Sequence, residues 1–197
     1  MTALVDRAIE AAGFGAIVAA RRAGTSIEAY VARLRAADLL VLGALADRVR
    51  AEEIGADVRI YTSEPPAEDA LVIVLPPDGR PITGLELLRE VAIARITGPR
   101  AARIRVDWTR SGLELAQVAL GFGADELVGF IATKRGLPIA DGAMSGVGKK
   151  SKQELVEVVK RRELAECVER GGRVPLFIRA DGVVEAPLPA GPLQEAM

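Results

Sequence analysis

The chain contains no histidine and a single cysteine, Cys167. Without histidine there is no Ser-His-Asp triad, no Cys-His pair and no imidazole metal site. One cysteine excludes an internal disulfide, a zinc ribbon and a protein-ligated iron–sulfur cluster within a single chain. Aromatic residues are scarce, at 4% of 197 residues, so the core must be built from Ala, Val, Leu and Ile. Charge of one sign is missing too: 26 Lys plus Arg stand against 27 Asp plus Glu. A net charge of −1 gives no field to hold a nucleic-acid backbone or an anionic membrane. No run approaches the roughly 18 apolar residues of a spanning helix. The first ten residues carry Asp6, Arg7 and Glu10, unlike a signal peptide. The expectation is a cytoplasmic protein that uses no metal or cofactor.

Half of the residues are hydrophobic, enough for a sizeable core. Residues 1–55 read as a layer of helices. Gly13-Phe14-Gly15 weakens the first, Gly24 stops it, and Thr25 with Glu28 has the form of a capping box. A third helix spans about 37–53 and ends at Gly55. From residue 57 the period changes. Strands are expected at 57–62, 70–75, 102–107 and 126–133, with helices at 83–97 and 112–121 between them. This β-α-β-α-β order signals α/β architecture with right-handed crossovers. A helix from the capping box Ser151/Glu154 to Arg170 follows, then an edge strand at 174–179 with Pro175 near its start.

A complete (β/α)8 barrel needs about 200–250 residues. The strands here suffice for a partial (half) β/α-barrel or a small, mostly parallel open sheet. The expected divisions are helices at 1–55, a βαβαβ half-barrel core at 56–135, a loop, helix and edge strand at 136–185, and a tail at 186–197, all in one folded domain. Ser63–Asp69 is too short for a parallel crossover, so strand 57–62 pairs either antiparallel with 70–75 or parallel beside 126–133.

Several motifs read as structure. Gly146–Ser151 lacks the spacing of a phosphate loop, with Ala143 and Lys150 at its key places, and reads as a linker. Gly121–Asp125 follows a helix and reads as a C-cap. Cys167 reads as a buried thiol. The charges of 149–166 alternate in sign, as on a solvated helix face. The C-terminal strand edge is where α/β sheets place their sites. There the catalytic candidates are Glu64, Asp107 and Lys134, and the ligand-binding candidates Asp78, Arg80, Asp107, Trp108 and Arg110. Trp108 should be buried, with its indole N–H bonded to a partner.

One stretch carries a pattern: Val91–Arg95, Ile104-Arg105-Val106-Asp107-Trp108, Gly112–Leu120, Phe122–Leu127 and Gly129. It resembles a radical SAM subfamily, that of aminofutalosine synthase, cyclic futalosine synthase and the deazaflavin-cofactor synthase subunits. Weaker matches are Asp38–Ala46, Val58–Thr62, Gln153–Leu155 and Gly172–Pro175. The resemblance implies a Cys-x-x-x-Cys-x-x-Cys loop after the first strand, holding the cluster that cleaves S-adenosylmethionine. Here Tyr61-Thr62 runs into Ser63-Glu64-Pro65-Pro66 instead, and the family's middle strands have no room before residue 70. Gly129 is followed by Phe130 where the family has Thr, and Thr133-Lys134 replaces an acidic pair. No catalytic residue of the family carries over. The resemblance therefore implies a truncated, cluster-less, non-catalytic relative linked to menaquinone biosynthesis. Its partners would be a small metabolite, a full-length radical SAM relative or a second copy. Two further readings stand beside it: a metal-free enzyme using strand-edge carboxylates and Lys, and a remnant without activity. Strands such as 71–75 read as apolar on both faces. A half-barrel built from them needs either a homodimer, through strand 70–75 and helix 83–97, or a cap in which Leu39, Leu42 and Ala46 pack on the strands.

Overall fold

The computed structural model describes residues 3–61, 65, 71–76, 81–129, 131–132, 159–179 and 182–185. The elements in chain order are α1 (Ala3–Ala11), α2 (Gly15–Ala23), a 3-10 turn (Glu28–Tyr30), α3 (Val31–Arg35), α4 (Leu39–Glu53), β1 (Asp57–Tyr61), β2 (Val72–Leu75), α5 (Gly84–Thr97), β3 (Arg103–Asp107), α6 (Trp108–Ser111), α7 (Leu113–Leu120), β4 (Glu126–Val128), β5 (Ile131–Ala132), β6 (Val159–Lys160), α8 (Arg161–Arg170), β7 (Val174–Ile178) and β8 (Val184–Glu185).

Local chemistry sets most of these boundaries. Gly24 takes a left-handed conformation, φ 69°, and its N–H closes α2. Asp38 caps α4, its carboxylate accepting from the N–H groups of Leu40 and Val41 at 3.0 and 3.1 Å. Thr83 and Glu86 form a reciprocal box at the start of α5. The box read at Thr25 and Glu28 is not made. Thr25 donates its hydroxyl to the Ala20 carbonyl, and Ser26 accepts from Glu28 N–H. The intervening turn is 3-10, so Glu28 is not the third residue of an α-helix.

Six strands form one open sheet in the order β2-β3-β4-β1-β7-β8, parallel throughout except for β7 with β8. This is the mostly parallel open sheet of an α/β fold. β1 lies parallel beside β4, and β2 is an edge, so β1 and β2 are not neighbours. Strand 126–133 is broken: β4 ends at Val128, and β5 pairs with β6 in a separate two-stranded sheet. Two corrections concern the end of the chain. Residues 159–160 are extended and the helix begins at Arg161, where Glu163 accepts from the Lys160 N–H. The Ser151/Glu154 box falls outside the described residues. β7 is an inner strand, not an edge. β8 pairs only with Phe177 and Ile178, however, so the missing N–H of Pro175 lies beyond that pairing.

In a strand, alternate side chains face opposite sides. The register aligns Ile73, Leu75, Ile104, Val106, Leu127, Val58, Ile60 and Phe177 on one face. That face joins the core with Leu87, Val91 and Ile96 of α5, Ala116 and Leu120 of α7, and Leu164 and Val168 of α8. α4 lies along α5, with Leu42, Leu45 and Ala46 fully buried. The leading helices thus pack mainly on α5 rather than on the strands. Gly43 lets the turn after α7 approach α4, since a Cβ there would sit 2.7 Å from the Phe122 ring.

Candidate functional site

The other face of the sheet has a different composition. Arg103, Arg105 and Asp107 of β3, Glu126 and Val128 of β4, Asp57, Arg59 and Tyr61 of β1, and Leu176 and Ile178 of β7 lie on it by register. Of the strands read as apolar on both faces, 71–75 keeps that character, whereas β4 opens with the buried Glu126 on this second face.

At the centre of this face is a four-residue network. Glu126 is fully buried and Arg105 nearly so. Oε2 of Glu126 accepts from Nε of Arg105 at 3.0 Å, and Nη2 of Arg105 approaches the same oxygen at 2.9 Å. The Tyr61 hydroxyl donates to Oε1 at 3.3 Å, and Arg59 reaches that oxygen at 3.5 Å. The Arg105 guanidinium stacks over the Tyr61 ring, 4.8 Å from its centroid. Burial pushes the Glu126 carboxyl above its ordinary pKa, and the neighbouring Asp125 adds to this. The charge and hydrogen bonds of Arg105 and the charge of Arg59 oppose it without cancelling it. Arg105 is held by its carboxylate and its ring. Arg59, 36% exposed, makes one long contact among the described residues, which engages one of its five donors.

The C-terminal edge holds the residues singled out from the sequence. Asp107 does structural work there, capping α6 by accepting from the N–H and hydroxyl of Thr109 at 2.8 and 2.6 Å. Arg110 donates to the Pro76 carbonyl at 3.0 Å, tying α6 to the end of β2. Trp108 is fully buried, as expected, and packs against Gly129. Its indole N–H, however, has no hydrogen-bond partner. It lies over Gly129, a position where any Cβ would overlap the ring. Glu64, Asp78, Arg80 and Lys134 lie outside the described residues, as does the Gly146–Ser151 motif. Asp107, Trp108 and Arg110 are thus together at one strand end, but committed to holding it.

The N-terminal edge carries charge of another kind. Asp125, fully buried, accepts from Arg95, from Arg103 at 2.7 Å and from the Ile104 N–H at 2.8 Å. Arg21 clasps Glu53 through two bonds, at 2.7 and 2.9 Å, and donates to the Ile96 carbonyl at 2.9 Å. A groove of about 420 Å³ opens beside this clamp, lined by Arg21, Thr25, Ser26, Glu28, Thr97 and Arg100. Its one buried cation is already saturated by Glu53 and main-chain carbonyls, so the groove has little left to bind with. Cys167 is buried in α8, and burial raises its thiol pKa.

The network was missed in the sequence because its residues are far apart and of no motif. Its signal was present nonetheless. Arg103-Ile104-Arg105-Val106-Asp107 and Val58-Arg59-Ile60 alternate strictly, which is the mark of a strand with two unlike faces.

No protein-family model matches the chain. Over 93 residues, 47% of its length, it is 29% identical to the cyclic dehypoxanthine futalosine synthase of Streptomyces coelicolor. Those residues span only 20% of that enzyme. This distant, partial likeness agrees with the resemblance seen in the sequence. No helix among the described residues is long and apolar enough to cross a membrane.

Proposed function

We propose that the chain is a cluster-less, non-catalytic relative of the futalosine synthases, which binds a small metabolite linked to menaquinone biosynthesis. The observation that carries this reading is the Arg59–Glu126–Arg105–Tyr61 network on the second face of the sheet. A sheet face serving only the fold would be apolar, since replacing a buried ion pair by packed hydrophobic residues is often neutral or stabilising. A face that keeps two guanidiniums, a carboxyl and a phenol is organised to recognise polar groups. The likeness to cyclic dehypoxanthine futalosine synthase supplies the class of metabolite. Ser63-Glu64-Pro65-Pro66, where the family's cysteine loop would stand, supports binding without cleavage of S-adenosylmethionine.

A metal-free enzyme is favoured by one observation, the raised pKa of Glu126, which suits a proton carrier. Asp107, the described residue of the strand-edge catalytic set, is already used as a helix cap. For assembly we propose a pair of chains joined along the edge strand β2, where Val74 is 48% exposed. α5 offers Leu85, 69% exposed, to the same contact, while most of its other apolar side chains are buried within the chain.

The direct test is a thermal-shift screen with futalosine-type nucleosides and S-adenosylmethionine. A ligand at 100 times its Kd stabilises by about 2.7 kcal/mol. In a chain of this size that raises Tm by roughly 5–11 °C. A flat response to every nucleoside removes the reading.

A further inference from the structure

The polar network has a charge that its own members do not balance. Arg59 and Arg105 place two positive charges against the single carboxylate of Glu126. The other charges on this face are engaged or distant along their strands. Arg103 shares Asp125 with Arg95, the Asp107 carboxylate is turned into the first turn of α6, and Asp57 is exposed at the N-terminal end of β1. Among the described residues, the centre of the face therefore holds one positive charge with no carboxylate of its own. Its holder is Arg59, whose guanidinium touches Glu126 at 3.5 Å by one nitrogen. Arg105 cannot be that holder, because two of its nitrogens and its ring contact are in use.

A half-exposed guanidinium beside a buried carboxylate selects by charge. A monocarboxylate brings the centre to neutrality and can take two parallel N–H bonds from the fork. A phosphate dianion would leave a negative excess next to Glu126. The surroundings select further. Leu176 is in register with Arg59, with Ile178 beyond it, and Val128 lies on the same face of the adjacent β4. These three side chains are apolar, so the remainder of the ligand should be apolar near its carboxylate.

We infer that the second face of the sheet is a binding site for a monocarboxylate with an apolar body, which Arg59 holds through its free donors beside the Glu126–Arg105 pair. This deepens the proposed function by naming the ligand chemistry of the same face, and it rests on that reading for the place of the site.

The probes are hexanoate, its uncharged counterpart hexanol, acetate and inorganic phosphate, titrated into the intact chain by calorimetry and thermal shift. Hexanoate should bind, with acetate and hexanol each at least tenfold weaker and phosphate weaker than hexanoate. Arg59→Gln should fold normally, since Arg59 makes one long contact, and should lose hexanoate at least tenfold. Arg162→Gln, on the exposed face of α8, should bind as the parent does. Phosphate binding tighter than hexanoate overturns the inference. So does equal binding to Arg59→Gln, or no binding to a folded chain. The two proposals fail separately. A futalosine-type nucleoside that stabilises the parent and Arg59→Gln equally keeps the functional reading and sinks this one. Hexanoate binding through Arg59, with no response to any nucleoside, does the reverse.

Discussion

Trp108 and Gly129 form a pair whose energetics can be worked out from the packing. The indole is fully buried at the end of β3 and lies on the Gly129 backbone. A Cβ at 129 would fall within van der Waals overlap of Cε2, Nε1 and Cδ2 of the ring. Glycine is required there by the ring, not by backbone conformation, since the positive-φ glycines do not include 129. Gly129→Ala should therefore cost about 3 kcal/mol, the upper part of the 1–3 range for overpacking, because a rigid bicycle cannot step aside. Trp108→Ala alone should cost about 3–4 kcal/mol. The cavity pushes toward 5, while removal of the unpartnered N–H returns part of the loss. In the double variant the new methyl enters the space the ring has left. The cost should then stay near that of Trp108→Ala, giving a coupling of roughly 2–3 kcal/mol against the sum. Urea unfolding of the four proteins measures this directly. Additive costs would refute the packing argument, as would a Gly129→Ala variant within about 0.5 kcal/mol of the parent.

Three further outcomes are expected. Glu126 has a folded-state pKa above its ordinary 4.5, so the folded chain holds that proton more tightly than the unfolded one. The parent should then lose stability relative to Glu126→Gln as pH rises from about 4.5 through the raised value; urea midpoints that diverge in the opposite sense would contradict it. Asp125→Ala strands the fully buried Arg95 and should cost about 3–5 kcal/mol by denaturant unfolding, and a loss under 1 kcal/mol would show that the cluster is solvated. Light scattering at micromolar concentration should give twice the chain mass of 20.8 kDa, and a single chain mass would remove the β2-edge pairing.

The elements set by local chemistry were legible before any coordinates. Gly24 and residue 83 mark helix ends where they were read, the last helix stops at Arg170, and the β-α-β-α-β order survives as β2-α5-β3-α7-β4. Two kinds of information were not local. The place of β1 between β4 and β7 depends on pairing between residues more than sixty apart, which no turn or period encodes. The strand end at Val128 coincides with a tertiary contact, the Trp108 ring against Gly129, that no local signal announces. The candidate site shows the same division. Asp107, Trp108 and Arg110 were placed correctly at a strand end, since a polar cluster there is visible in sequence. What they do there was not visible, because a carboxylate at a strand end can face solvent or cap the next helix, and only the path of α6 decides. The Arg59–Glu126–Arg105 network was not visible because its members come from three strands that meet only by long-range pairing, although the alternation in β1 and β3 marks two unlike faces.

The central claim is binding without chemistry. Its most direct measurement is to incubate the chain anaerobically with iron, sulfide, dithionite as the one-electron reductant, S-adenosylmethionine and dehypoxanthine futalosine, and to follow both nucleosides and the bound fraction together. The account predicts a saturable complex with the futalosine, no incorporated cluster, and both compounds recovered unchanged. Stoichiometric iron and sulfide with consumption of S-adenosylmethionine, or full recovery with no complex at any concentration, would contradict it.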